Sequence, residues 1–85
     1  MYYVYIIKSA HKGKVYIGYT SNLKKRLAEH NSGCARSTRQ CCDWNVVYTE
    51  EYKDKLLAMK REKFFKTGDG RKVLKYKGIF MNGRY

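Results

Sequence analysis

The sequence predicts a small α+β domain with three strands flanked by helices, in the order ββαβαα. Two opening segments, Tyr2–Lys8 and Lys14–Tyr19, are rich in tyrosine and β-branched residues, which favour strands. A short connector ending in Gly13 separates them and indicates a hairpin, so these two strands should run antiparallel. Later segments that place apolar residues three or four positions apart predict helices with one buried face each.

The first helix is predicted directly after the second strand, over Leu23 to Asn31. Leu23 and Leu27 lie four positions apart and mark its buried stripe. Arg26 and His30 are also four positions apart, so they share a neighbouring stripe. The second strand thus leads into a helix that carries an arginine and a histidine one turn apart.

The second half of the chain is predicted to contain one strand and two helices. The third strand covers Trp44 to Glu51, and the second helix covers Lys53 to Lys66. Residues Gly68 to Gly70 are predicted to break that helix before a short third helix from Arg71 to Lys77. The broad apolar arc of the second helix consists of Leu57, Ala58, Phe64 and Phe65.

Charge and length indicate the class of partner. The chain has 85 residues, with 19 lysines and arginines against 7 acidic residues and a net charge of +12. We expect one domain over residues 1–78 and a C-terminal tail over residues 79–85. This excess of positive charge predicts a polyanionic partner; nucleic acid is expected, and an anionic membrane surface is the alternative.

The apolar runs are too short for a transmembrane helix or a signal peptide, so we expect a cytoplasmic protein.

Three cysteines, Cys34, Cys41 and Cys42, do not suit a disulfide framework, because their number is odd and two of them are adjacent. We interpret them as reduced thiols. Together with His11 or His30 they could in principle form a zinc site, but the paired spacing that is typical of zinc modules is missing. Zinc is therefore not predicted.

Two tyrosines on the hairpin are candidates for chemistry. Tyr5 and Tyr16 can come close across the sheet if the chain turns at Gly13. Gly18 shares a face with Tyr16, and its missing side chain should open that face to a closely approaching group. On composition alone, both tyrosines are better explained as half-buried strand residues.

Arg26 and His30 have side chains that suit phosphate chemistry. An arginine presents a permanent positive fork to phosphate oxygens. A histidine titrates near neutrality and can donate or accept a proton. For the pair alone a solvated helix face is the favoured alternative, because neighbouring basic residues are common in so basic a protein.

Glu62 lies on the second helix, at the edge of the apolar arc and among cations. A single carboxylate can hold Mg²⁺, which takes one or two carboxylates and keeps several waters. The alternative is a salt bridge with a neighbouring cation, for which the candidates are Lys60, Arg61, Lys63 and Lys66.

Together and in this order, these residues resemble the GIY-YIG nuclease superfamily, especially its small, single-domain members. Tyr3-Val4-Tyr5 stands in place of the first motif, with a tyrosine where glycine is usual, and Tyr16-Ile17-Gly18 is an intact second motif. Arg26 and His30 follow in the first helix, and Glu62 lies in the second. The similarity covers nearly the whole chain.

The resemblance implies a three-stranded antiparallel sheet flanked by helices and a DNA endonuclease that hydrolyses phosphodiester bonds with Mg²⁺ or Mn²⁺. DNA repair, recombination and mobile-element functions all occur in the superfamily. A single carboxylate suits a mechanism with one metal ion. By position, Tyr5 and Tyr16 match the two motif tyrosines, Gly18 the motif glycine, Arg26 the catalytic arginine, His30 the helix histidine and Glu62 the metal ligand.

The resemblance also implies roles for these side chains. Arg26 would hold a non-bridging phosphate oxygen, and a tyrosine would accept the proton of the attacking water. A free tyrosine has a pKa of about 10 and needs neighbouring cations to act as a base near neutral pH. His30 would orient that tyrosine or relay the proton. The choice between Tyr5 and Tyr16 as the general base stays open.

Substrate binding would come from basic side chains that contact phosphates and carry no sequence information. We therefore expect low sequence specificity, on DNA that includes branched, damaged or single-stranded forms. A non-catalytic nucleic-acid-binding module with the same fold is the alternative, and docking to RNA is a third reading. The candidate contacts are Lys24, Lys25, Arg36 and Arg39, followed by Lys60, Lys63, Lys66, Arg71 and Lys72.

Overall fold

The computed structural model describes residues 1–9, 14–32 and 43–78. These residues form three strands and three helices in the order ββαβαα, which confirms the predicted α+β class. The hairpin connector, the stretch 33–42 and the predicted tail lie outside the described residues. The elements are β1 (Tyr2–Ser9), β2 (Val15–Thr20), α1 (Leu23–Ser32), β3 (Trp44–Tyr52), α2 (Lys55–Phe65) and α3 (Gly68–Tyr76).

The strands form one antiparallel sheet in the order β2-β1-β3, so the first strand lies in the centre. Tyr5 on β1 is paired with Gly18 on β2 and with Thr49 on β3. Residues 4–7 of β1 are all buried, because the strand has a neighbour on each side and helices on both faces. Val4 and Ile6 therefore belong to the core on one face of the sheet, and Tyr5 and Ile7 to the core on the other.

Two apolar clusters, one on each face of the sheet, hold the helices in place. Helices α2 and α3 pack on one face, and α1 packs on the other. Burial of these apolar side chains is the main force that fixes the helices on the sheet. The first cluster consists of Val4, Ile6, Ile17, Ala58, Phe65 and Leu74; the second consists of Tyr5, Ile7 and Trp44, with Tyr16, Leu23, Leu27 and Val46 packed against it.

The break predicted at Gly68–Gly70 is placed differently in the structure. Helix α2 ends at Phe65, and Gly68 already begins α3. Thr67 caps α3, since its hydroxyl accepts a hydrogen bond from the amide of Gly70 at 3.1 Å. A Cβ at Gly70 would lie 1.9 Å from the carbonyl oxygen of Phe64. This glycine therefore serves the close packing of α3 against the end of α2.

The apolar arc of α2 is narrower than the sequence predicts. Ala58 and Phe65 are fully buried, whereas Leu57 is 51% exposed. Arg61 occupies the face between them, with its guanidinium carbon 4.4 Å from the ring centroid of Phe65. The face of α2 that packs on the sheet thus runs along Ala58 and Phe65, with Arg61 33% exposed between them, and leaves Leu57 outside.

Candidate active site

Tyr5 and His30 form a buried hydrogen bond between the central strand and α1. The Tyr5 hydroxyl lies 2.9 Å from Nε2 of His30, and the two residues are 1% and 0% exposed. Burial raises the pKa of Tyr5 to about 12, although interaction with Arg26 acts in the opposite direction. Burial lowers the pKa of His30 below its ordinary value, and the positive charge of Arg26 adds to this effect. Near neutral pH the pair is therefore a phenol against a neutral imidazole.

Tyr16 completes a group of three rings. Its ring centroid lies 6.2 Å from that of Tyr5 and 4.9 Å from that of His30. Tyr16 itself is only partly buried. The prediction that the two tyrosines approach each other across the hairpin is confirmed.

Gly18 makes this group of rings possible, but not by leaving an open space. A Cβ at this position would lie 2.7 Å from the hydroxyl oxygen of Tyr5 and 3.0 Å from Cε2 of Tyr16. The space above Gly18 is therefore filled by the phenol of Tyr5. The phenol of Tyr5 is thus a group that approaches closely at the position without a side chain.

Arg26 lies on the same helix one turn before His30. Interaction with the Tyr5 hydroxyl raises the pKa of the Arg26 guanidinium, and Nη1 also donates to Oε1 of Glu29 at 3.1 Å. Its side chain is 39% exposed, so it remains open to a ligand. Arg26 borders a polar concavity of about 640 Å³ that is also lined by Lys25 and Lys55.

Glu62 approaches the rings from α2. Its side chain is 16% exposed, and Oε2 accepts a hydrogen bond from the ammonium of Lys66 at 3.3 Å. That ammonium lies 5.9 Å from the ring centroid of Tyr16. Burial is the largest cause of the raised pKa of Tyr5, and the negative charge of Glu62 contributes to it. Within the described residues, no three histidine, cysteine or acidic side chains form a metal-binding group.

The salt-bridge alternative for Glu62 is realised by Lys66 and not by Arg61. Arg61 instead donates from Nε to Oε1 of Glu50 on β3 at 2.9 Å. Tyr48 and Tyr52 donate to the same carboxylate at 2.6 and 2.7 Å. Burial alone would raise the pKa of Glu50, but these three donors lower it below its ordinary value. The cluster fixes α2 to β3 through Arg61, which directly precedes Glu62 in the chain.

Sequence reasoning missed both this cluster and a contact at the end of α1. The alternation Tyr48, Glu50, Tyr52 places all three side chains on one face of a strand and was the available signal. Asn31 follows His30 and exchanges two hydrogen bonds with the backbone of Trp44, at 3.1 and 2.7 Å. The amide thereby fixes the end of α1, and with it His30, to the start of β3.

The structure places the predicted phosphate contacts on three different helices. Seven of the nine are exposed, while Arg36 and Arg39 lie outside the described residues, as do Cys34, Cys41 and Cys42. None of the helices in the described part of the chain is long and apolar enough to cross a membrane. The seven exposed residues are Lys24 and Lys25 on α1, Lys60 and Lys63 on α2, Lys66 directly after α2, and Arg71 and Lys72 on α3.

Comparison with known proteins identifies the family. Residues 1–77 match the family described as the GIY-YIG catalytic domain. A UPF0213 protein of Streptococcus pyogenes serotype M5 is 43% identical over 65 residues, which are 75% of this chain and 70% of that protein. UPF0213 proteins of Clostridium perfringens and Natronomonas pharaonis are 42% and 40% identical, over 78% and 72% of this chain and 71% and 72% of theirs.

A solved structure supports the same assignment. The solution NMR structure of a UPF0213 protein from Bacillus halodurans is 33% identical and has a TM-score of 0.53, with 98% of this chain and 87% of that chain covered. The chain therefore belongs to the GIY-YIG family of nuclease domains. The relatives named above are all UPF0213 proteins, and that name states no activity, metal or substrate.

Proposed function

We propose that the protein is a DNA endonuclease that depends on a divalent metal and has low sequence specificity. Residues 1–78 would be the nuclease domain and residues 79–85 a tail, in a cytoplasmic protein with no membrane association. The observation that carries the proposal is the buried hydrogen bond between Tyr5 and His30, 2.9 Å long, beside Tyr16 and Arg26. A solvated basic helix would leave His30 exposed, whereas His30 is 0% exposed and hydrogen bonded to Tyr5.

Glu62 fits the single carboxylate that Mg²⁺ or Mn²⁺ needs when water fills the other coordination positions. Its side chain is 16% exposed, so the carboxylate is held in place and still faces solvent. It already carries a cationic partner in Lys66, which indicates a position that favours positive charge. A bound divalent cation would polarise the phosphate and stabilise the leaving oxygen.

Arg26 would hold a non-bridging oxygen of the scissile phosphate. Its guanidinium is permanently charged, offers several donors in a fixed fork and remains 39% exposed. The concavity beside it, with Lys25 and Lys55, would accept the neighbouring backbone phosphates. Glu29 pairs with one end of the guanidinium and would limit its rotation.

The two tyrosines would have different tasks. Tyr16 is partly exposed and is the better placed of the two to meet the attacking water. Tyr5 is 1% exposed and hydrogen bonded to Nε2 of His30, so it would hold the imidazole in place. Neutral His30, 4.9 Å from Tyr16 between ring centroids, would take up the proton through the tyrosine hydroxyls.

A cleavage panel tests the proposal. Purified protein is incubated with plasmid, single-stranded and branched DNA and with matched RNA, with Mg²⁺ or with EDTA. We expect cleavage of DNA, including structured forms such as occur in repair, only with the metal, and binding that weakens steeply with salt. Binding to every substrate without product would favour a non-catalytic module, and preferential cutting of RNA would contradict the substrate class.

A further inference from the structure

Lys66 and Glu62 form an ion pair whose two side chains differ in solvent exposure. The Lys66 side chain is 48% exposed and follows the last turn of α2, whereas the Glu62 side chain is 16% exposed within that helix. The carboxylate is thus held by its surroundings, while the ammonium on its flexible stem can leave. Exposed pairs four residues apart on a helix are weak, so separating this one costs little.

A second place for the Lys66 ammonium lies beside Tyr16. Val15, Tyr16 and Ile17 of the edge strand β2 line a groove of about 240 Å³, together with Lys66 and Arg71. Two cations on a groove beside a tyrosine suit a phosphate group, because lysine and arginine both donate to phosphate oxygens. The Lys66 ammonium is 5.9 Å from the Tyr16 ring centroid, so it lies near both Glu62 and the groove.

We propose that Lys66 is an exchangeable counter-ion, which yields Glu62 to a divalent cation and then joins Arg71 in binding a DNA phosphate beside Tyr16. This inference rests on the proposed function, since it takes Glu62 as the metal ligand. Cation binding and phosphate binding would be coupled through one side chain. Coupling of this kind is reciprocal, so each ligand must raise the affinity for the other by the same factor.

The first test measures Mn²⁺ affinity without nucleic acid, by electron paramagnetic resonance or calorimetry. Lys66→Met should raise the affinity about two- to fivefold, which is the range set by the weak strength of exposed ion pairs. Lys63→Met is the matched control, because it removes the same charge from an exposed position next to Glu62. An equal change in the two variants would overturn the proposal.

The second test measures the affinity for a short phosphorothioate duplex, which resists hydrolysis, with Mn²⁺ and with EDTA. In the unaltered protein and in Lys75→Met, which removes an exposed charge that is not among the predicted phosphate contacts, Mn²⁺ should strengthen DNA binding several-fold. Lys66→Met and Arg71→Gln should each lose most of this gain. A gain of unchanged size in Lys66→Met would contradict the exchange.

Glu62→Gln separates this inference from the proposed function. If Glu62→Gln abolishes Mn²⁺ binding while Lys66→Met behaves like Lys63→Met, only the exchange of Lys66 is refuted. If Glu62→Gln binds Mn²⁺ as tightly as the unaltered protein, the metal-ligand assignment itself is wrong, and the exchange falls with it.

Discussion

The Tyr5 hydroxyl and Nε2 of His30 are 2.9 Å apart, and both side chains are almost fully buried. They come from the central strand and from α1, which are 25 residues apart in sequence. The bond therefore couples the packing of α1 on the sheet to the geometry of the candidate site. Loss of either partner would leave a buried polar atom without the hydrogen bond that it makes now.

Tyr5→Phe should reduce both stability and cleavage. We expect a loss of about 1–3 kcal/mol in the free energy of unfolding, because the buried imidazole loses a hydrogen-bond partner. Cleavage should fall by about a hundredfold or more, in the range of general acid–base effects. Urea unfolding and a DNA cleavage assay measure the two quantities. Tyr3→Phe, on the same strand, is the control; a Tyr5→Phe protein that resembles it in both assays would contradict the assigned role.

Gly18→Ala should damage the site through a steric clash. The added Cβ would lie 2.7 Å from the Tyr5 hydroxyl oxygen, and Tyr5 is too buried to move freely. We expect a destabilisation of about 1–3 kcal/mol, as for other overpacked cores, and reduced cleavage. Gly68→Ala is the matched control, because nothing lies within 4 Å of its added Cβ. Equal thermal and chemical stability of the two variants would show that Gly18 is not needed for the packing of Tyr5.

His30 should make stability depend on pH on the acidic side of neutrality. Its pKa in the folded protein is lowered by burial and then by Arg26, while in the unfolded chain it is about 6.5. The unfolded state therefore binds the proton first as the pH falls. The stabilising contribution of neutral His30 is complete above about pH 6.5 and is lost as the pH falls below that value.

Urea unfolding at pH 8 and pH 5.5, together with an NMR titration of the imidazole, measures this effect. We expect lower stability at pH 5.5 and a smaller pH dependence in His30→Gln. An imidazole that titrates at or above its ordinary pKa would contradict the burial of a neutral ring.

Strand alternation and the hairpin were enough to predict which side chains meet. They place Tyr5 and Tyr16 on one face, and a helix that follows β2 directly can return over that face with Arg26 and His30. The burial of His30 was not predictable in the same way. Periodicity gives Arg26 and His30 the same stripe, and only the packing of α1 on the sheet leaves one exposed and buries the other.

The structure was also needed to identify which cation pairs with Glu62 on α2. Four cations were candidates for Glu62, and sequence spacing alone does not separate them. Arg61 pairs instead with Glu50 on β3, the strand that directly precedes α2, which leaves Lys66 as the observed partner. Arg61 also lies over the ring of Phe65, while Leu57 is 51% exposed.

Cleavage by Glu62→Gln is the most direct test of the central claim that this carboxylate holds the catalytic metal. The substitution keeps the size of the side chain and removes the charge, so folding and DNA binding should persist. We predict a loss of cleavage of at least about a hundredfold at saturating Mg²⁺, as expected when a major electrostatic contribution is removed. Glu51→Gln, which removes an exposed carboxylate from β3, should cut normally. A Glu62→Gln protein that cuts DNA as fast as the Glu51→Gln control would contradict the claim.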